Sequence, residues 1–170
     1  NYASGVIENY GFKFANLSNL DNHGVINNYS EMSNLDNFIN YSNGTLSNAG
    51  KFLNEGNFGN SGLLENKSGG SIENNRGVLS NESGGRINNI GTLYNFGVME
   101  NKQGGTITNN GWLIKQKSLY TDQLINRGTL INTGNLSSLS PGLRSGEAGY
   151  VQYSGETINN GNMYGYFDFA

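Results

Sequence analysis

"GTLYNFGVMENKQGGTITNNG", residues 91–111, repeats one short phrase. Gly91, Gly97, Gly105 and Gly111 are each followed two residues on by Leu93, Met99, Ile107 and Leu113, and the first three of these are followed two residues later by Asn95, Asn101 and Asn109. The unit is six positions long, with Gly at the first, an apolar residue at the third and Asn at the fifth. Six residues do not fit a 3.6-residue helical turn, and Gly and Asn are poor helix formers. A strand of three or four residues followed by a bend fits well. Alternate side chains of a strand point to opposite faces, so the third position faces inward while the second and fourth face out.

Working outward, the same unit can be laid down 21 times between Gly5 and Leu139. The third positions run from Ile7, Phe14 and Leu20 through Leu119, Leu124, Leu130 and Leu136, and all are apolar. The fifth position is Asn in 18 units, from Asn9 to Asn132, and departs only at Lys115, Thr121 and Ser138. Two such columns predict an all-β fold, a parallel β-solenoid whose coils bury their apolar residues against one another. Identical Asn side chains on successive coils would then hydrogen-bond along the stack as ladders.

The lengthened units set the number of sides. Residues 36–43, 62–69, 77–84 and 97–104 form eight-residue units, the sixth, tenth, twelfth and fifteenth in order. Three of these ordinals are multiples of three, which predicts a three-sided coil with its insertions gathered at one corner and about seven coils in all. Residues 1–139 read as the repeat solenoid. Residues 140–170, with the single Pro and a run of aromatics, read as a C-terminal cap or a continuation of the solenoid.

Composition narrows the function. A chain of 170 residues with 31 Asn and 26 Gly could be low-complexity disorder, but ten Tyr, eight Phe and strictly spaced apolar positions argue for order. A net charge of −3 gives no electrostatic case for nucleic acid. There is no Cys, hence no disulfide or thiolate metal site, and no apolar run approaches the roughly 20 residues of a membrane span. No signal-peptide pattern opens the chain, so an export signal would have been removed or would lie outside it.

The phrases "GTLYNFG" (91–97) and "GTLINTG" (128–134), followed by "LSPG" (139–142) and "YVQYSGETINNG" (150–161), resemble the passenger regions of bacterial autotransporters and related exported β-helix proteins. That resemblance implies a long parallel β-helix, usually right-handed, displayed outside the cell. It makes the expected location extracellular or the bacterial cell surface, and the expected partners a host or matrix surface, a glycan or other copies of the chain. The repeat here is poorer in Thr and Ser than the family's, and six residues per side also recur in the left-handed hexapeptide helix of acyltransferases.

Catalytic motifs are nearly absent, and the expectation is that the chain is not an enzyme and holds no cofactor or metal. The single His23 falls on an outward corner position with no Ser-His-Asp spacing around it. Glu65, Glu73 and Glu82 stand at outward positions where solvated charge is the default. The Gly-Gly pairs lack the Lys-Ser/Thr of a phosphate loop. Seven Asn-x-Ser/Thr sequons occur, among them Asn16, Asn28 and Asn81, and Asn ladders would bury several. Only Thr106 and Thr108 form a Thr-x-Thr pair, too few for an ice-binding face. One outward feature stands out. With three sides, the outward residues Tyr94, Trp112, Ile114, Thr129 and Ile131, together with Thr92, fall on one face in a column that Leu53 begins. An apolar strip of that kind wants either a cover, such as the C-terminal aromatic segment, or a partner chain or sugar. The readings are therefore a structural or adhesive surface solenoid, a self-assembling filament subunit, or a carbohydrate-active β-helix enzyme.

Overall fold

The computed structural model describes residues 1–11, 13–116, 123–139, 150–152, 154–165 and 167–169. They form 24 strands, β1–β24 in chain order, arranged as three parallel sheets of eight strands each. Sheet A stacks β1 (Val6–Asn9), β4 (Val25–Asn28), β7 (Thr45–Asn48), β10 (Leu63–Asn66), β13 (Arg86–Asn89), β16 (Thr106–Asn109), β19 (Thr129–Asn132) and β22 (Glu156–Asn159). Sheet B stacks β2 (Phe14–Asn16), β5 (Glu31–Asn34), β8 (Lys51–Asn54), β11 (Ser71–Asn74), β14 (Thr92–Asn95), β17 (Trp112–Gln116), β20 (Asn135–Leu139) and β23 (Asn162–Gly165). Sheet C stacks β3 (Asn19–Asn22), β6 (Asn37–Asn40), β9 (Asn57–Asn60), β12 (Val78–Asn81), β15 (Val98–Asn101), β18 (Gln123–Asn126), β21 (Tyr150–Gln152) and β24 (Phe167–Phe169). The chain visits A, B and C in turn, so the protein is a three-sided parallel β-solenoid. Its sheets carry one layer more than the seven coils expected, because residues 150–169 add four strands to the same stack.

Register explains the two columns. The strands of the hexad units align third position with third and fifth with fifth, as in Leu64↔Ile87 and Asn66↔Asn89. The described third positions from Ile26 to Leu136 close a single core in which Phe38, Phe52 and Phe58 meet at ring separations of 4.7–6.2 Å. The fifth-position amides run up the inside of each corner. On sheet A, each Nδ2 donates to the Oδ1 of the next coil from Asn9 through Asn28, Asn48, Asn66, Asn89, Asn109 and Asn132 to Asn159, at 2.7–2.9 Å. Sheet C carries a second ladder from Asn1 to Asn126 at 2.8–2.9 Å. Sheet B carries a third from Asn16 to Asn95, where buried Lys115 and then Ser138 take the next places. The second amide hydrogen ties the corner to the following side: Asn66 Nδ2 also donates to the carbonyl of Thr92, 3.0 Å away. Each ladder points one way along the stack, so its dipoles align and reinforce one another. The sequons at Asn16, Asn28 and Asn81 are buried in these ladders.

The insertions fall where the counting places them. Turns 41–44, 82–85 and 102–105 all bridge sheet C to sheet A, while 67–70 bridges A to B. Each is closed by a hydrogen bond from its last N–H to its first carbonyl, at 2.7–2.9 Å. In three of them the third residue is a glycine at φ near +80°, namely Gly69, Gly84 and Gly104, as a type II turn requires.

Not every glycine is there for a reason of geometry. Gly59 lies at an outward strand position between Ile39 and Ser80 in register, and a Cβ built on it meets nothing within 4 Å. Gly59→Thr should raise stability by about 0.5–1 kcal/mol by cutting unfolded-chain entropy and adding strand propensity. A lower midpoint in urea for this variant would contradict the assignment of Gly59 to an open outward site.

Candidate functional site

With the ladders and core spoken for, chemistry must lie on the outward second and fourth positions and at the corners. The strip expected from the sequence is only partly assembled. Tyr94, Trp112 and Ile114 share sheet B, with Thr92 paired to Trp112 and Tyr94 to Ile114. Thr129 and Ile131 do not join them. Both lie on β19 in sheet A, in register with Thr106 and Thr108. The reason is a unit counted too many: the hexad around Leu119 and Thr121 lies outside the described residues, and β17 is followed on the next side by β18. The sheet B neighbours above Trp112 and Ile114 are Asn135 and Ser137, and above Ser137 comes Tyr164.

The corrected strip has two columns. One is Thr92, Trp112 and Asn135; the other is Tyr94, Ile114, Ser137 and Tyr164. Trp112 is 44% exposed and Tyr164 46%. At the adjoining B-to-C corner Phe96 lies nearly parallel to Tyr94, with ring centroids 6.0 Å apart. Ser137 is buried because the small side chain sits between Ile114 and Tyr164, and its hydroxyl has no partner among the described residues. Leu53 does begin the Tyr94 column, but Glu73 stands between them, held by Lys51 at 3.0 Å. Strands β21–β24 continue the stack and do not lie over the strip, and Tyr164 extends it. That residue was visible in the sequence as the partner of Met163, in a hexad opened by Gly161.

The carboxylates weighed as catalytic candidates are dispersed. Glu65 is on sheet A near Lys67 at 3.9 Å, Glu73 is on sheet B with Lys51, and Glu82 is at the C-to-A corner with Lys102 at 2.8 Å. Burial alone would raise the Glu82 pKa, but the Lys102 ammonium outweighs it and holds the carboxyl below its ordinary range. The Glu82–Lys102 contribution to stability is therefore present above the ordinary Glu range and fades as the pH falls through the lowered value. Such partly exposed pairs contribute about 0–1 kcal/mol each. His23 stacks on Tyr41 one coil further on, ring centroids 4.0 Å apart and 12° from parallel. A second corner pair, Tyr10 and Tyr29, stacks at 4.7 Å.

Among the described residues no helix is long and apolar enough to cross a membrane, and no cluster of three or more His, Asp or Glu is gathered as a metal site. No protein-family model matches the chain, and comparison with curated proteins and with solved structures finds no match.

Proposed function

We propose that the chain is a structural and adhesive segment of an exported bacterial surface protein, a stiff spacer that presents outward side chains in register to a partner, and that it is not an enzyme. The observation that carries this reading is the sheet B strip. Tyr94, Phe96, Trp112, Ile114 and Tyr164 stand on a surface whose backbone is fixed by parallel pairing on one side and by amide ladders on the other. Aromatic faces with a polar margin of Thr92 and Asn135 suit a sugar ring or the apolar side chains of a partner protein. The location outside the cell rests on the repeat style alone.

Glycan-array binding of the wild-type chain, compared with Trp112→Ala, tests the reading. Trp112 is an outward residue, so the variant should stay folded and lose about 1 kcal/mol of stability at most. Binding should fall at least tenfold if Trp112 is a contact residue. Equal binding by both proteins would remove the strip from the site, and polysaccharide cleavage by the wild type would favour an enzyme instead.

A second reading, end-on assembly with further coils of the same kind, is favoured by the first coil. Ile7, Phe14 and Leu20 are only partly buried, and Tyr2, Val6, Tyr10 and Leu17 are 60–88% exposed. An uncovered inner face of this type is a template for another coil, whether from a longer chain or from a second copy. Sedimentation velocity across a hundredfold concentration range separates the two readings, since assembly gives species that grow with concentration and a capped spacer does not.

A further inference from the structure

The C-to-A corner carries a feature that the strip does not explain. Its insertions are unevenly spaced along the stack. Turn 41–44 protrudes in one coil, the next coil passes the corner with only Ser61 and Gly62, and turn 82–85 protrudes in the coil after that. The short corner between two long ones leaves a notch of about 360 Å³, lined by the 42–45 segment on one side, Gly84 and Arg86 on the other, and Gly62 with Leu63 as floor. That volume is within the range of small-ligand sites.

The walls are fixed. Gly44 N–H donates to the Tyr41 carbonyl at 2.7 Å, Gly85 N–H to that of Glu82 at 2.9 Å, and Gly84 N–H to Gly104 in the next turn at 3.0 Å. Arg86 is anchored by its backbone: its N–H donates to Gly62 at 2.8 Å and its carbonyl accepts from the Asn60 ladder amide at 3.1 Å. Its guanidinium is exposed and engaged by no carboxylate among the described residues, whereas Lys51, Lys67, Lys102 and Arg127 each have a Glu partner. The carboxylates nearest in sequence and register, Glu82 and Glu65, are already paired with Lys102 and Lys67, so neither competes strongly for the arginine. On the facing wall Ser42, Asn43 and Thr45 offer two hydroxyls and an amide, and none of these side chains makes a hydrogen bond within the described residues.

We propose that this notch binds an acidic monosaccharide, a sugar ring bearing a carboxylate. The planar fork of Arg86 takes the carboxylate through two parallel N–H···O bonds, a geometry that Lys could not reproduce. Ser42, Asn43 and Thr45, each able to donate and accept, pair with the ring hydroxyls, and Leu63 carries the apolar edge. The site is shallow and open to water, so affinity for a single sugar is on the order of millimolar, and tight attachment comes from many sugars on many copies. The site is independent of the sheet B strip, which lies on another side of the coil.

The test is a titration of ¹⁵N-labelled protein with D-galacturonate, D-galactose and acetate at matched ionic strength, followed by amide chemical shifts. Saturable shifts confined to 42–45, 61–63 and 84–86 with galacturonate are expected. Galactose and acetate should each bind at least tenfold more weakly. Arg86→Gln and Arg86→Lys, which alter only an exposed side chain, should keep the wild-type melting temperature and lower galacturonate affinity at least tenfold. Trp112→Ala should leave these shifts unchanged, which separates failure here from failure of the strip. Retained galacturonate binding in Arg86→Gln, equal response to acetate, or no saturable shift up to tens of millimolar would each overturn the proposal.

Discussion

Asn66→Leu is expected to remove about 3–6 kcal/mol from the stability of the stack. Asn66 is fully buried, accepts from Asn48 Nδ2 at 2.9 Å, and donates to Asn89 Oδ1 at 2.8 Å and to the Thr92 carbonyl at 3.0 Å. Leucine fills the volume but takes the amide donor away from Asn89 Oδ1 and the Thr92 carbonyl, and leaves Asn48 Nδ2 only the Gly50 and Ser71 carbonyls, in a place water does not reach. Each such group costs about 1–3 kcal/mol, against a total stability of about 5–15 kcal/mol for an ordinary domain. Asn66→Asp sharpens the test. An ionised carboxylate keeps the acceptor role towards Asn48 but turns lone pairs towards Asn89 Oδ1 and the Thr92 carbonyl. The folded state therefore favours the protonated acid, and the aspartate pKa rises above its ordinary value near 4. The native state then holds more protons than the unfolded chain, so this variant loses stability as the pH rises from about 4. Asn88, the outward neighbour of the ladder residue Asn89, serves as control, and Asn88→Ala should cost under about 0.5 kcal/mol. Urea midpoints at pH 4 and pH 7 decide the matter. A loss below 1 kcal/mol in Asn66→Leu would mean that the ladder amides are no better off than amides in water. Amide exchange should show the damage concentrated in the coils of β7, β10 and β13, because each coil contacts only its neighbours.

Those same ladder positions show why most of the fold is legible in the sequence. A coil of this kind makes three demands on a short stretch of chain: an apolar side chain to meet the coil below, an amide to continue the ladder and, at most bends, a residue without a Cβ. All three are local in sequence and repeat at a fixed spacing, so the strands, the three sides and the shared corner of turns 41–44, 82–85 and 102–105 follow from counting. The counting went astray where one demand was allowed to stand for three. The hexad around Leu119 has an apolar third position but Lys117 in place of Gly and Thr121 in place of Asn, so nothing marks it as a unit except a leucine. Admitting it moved Thr129 and Ile131 onto the wrong side. The opposite error hid β22, where Gly155 and Asn159 satisfy two demands but the core position is Thr157. That hydroxyl is tolerated because it donates to Gln152 Oε1 at 2.7 Å and lies within reach of the Asn126 amide at 3.4 Å. The outward surface was the least legible part. Its residues answer to neighbours 18 to 27 positions away, so one miscounted unit reassigns every contact beyond it. The notch at Arg86 was not legible at all, since it depends on a short corner lying between two long ones on successive coils.

Gly91→Ala is expected to be strongly destabilising for a single added methyl, at about 3 kcal/mol or more. A Cβ built on Gly91 would fall on the carbonyl oxygens of Gly70 and Lys67 in the preceding coil, and 2.9 Å from Asn66 Nδ2. The backbone angle at Gly91 is not left-handed, so the demand is for space and not for conformation. Gly84 is the converse case. Its φ is +80° but nothing lies within 4 Å of an added Cβ, so Gly84→Ala should cost only the 1–2 kcal/mol of holding an L-residue in the left-handed region. Relief at Gly91 requires two coils to separate, since the obstructing atoms are backbone, and the ladder bond from Asn66 to Asn89 and the bond from Thr92 N–H to Gly70 would stretch together. The expected order of urea midpoints is thus Gly59→Thr above wild type, then Gly84→Ala, then Gly91→Ala. If Gly84→Ala proved the worse of the two alanine variants, conformational freedom would govern the glycine column and the close approach of coils would be secondary. The predicted order instead makes Gly91 and the glycines like it spacing devices: where a Cβ would meet the backbone of the preceding coil, its absence lets the amides come close enough to bond.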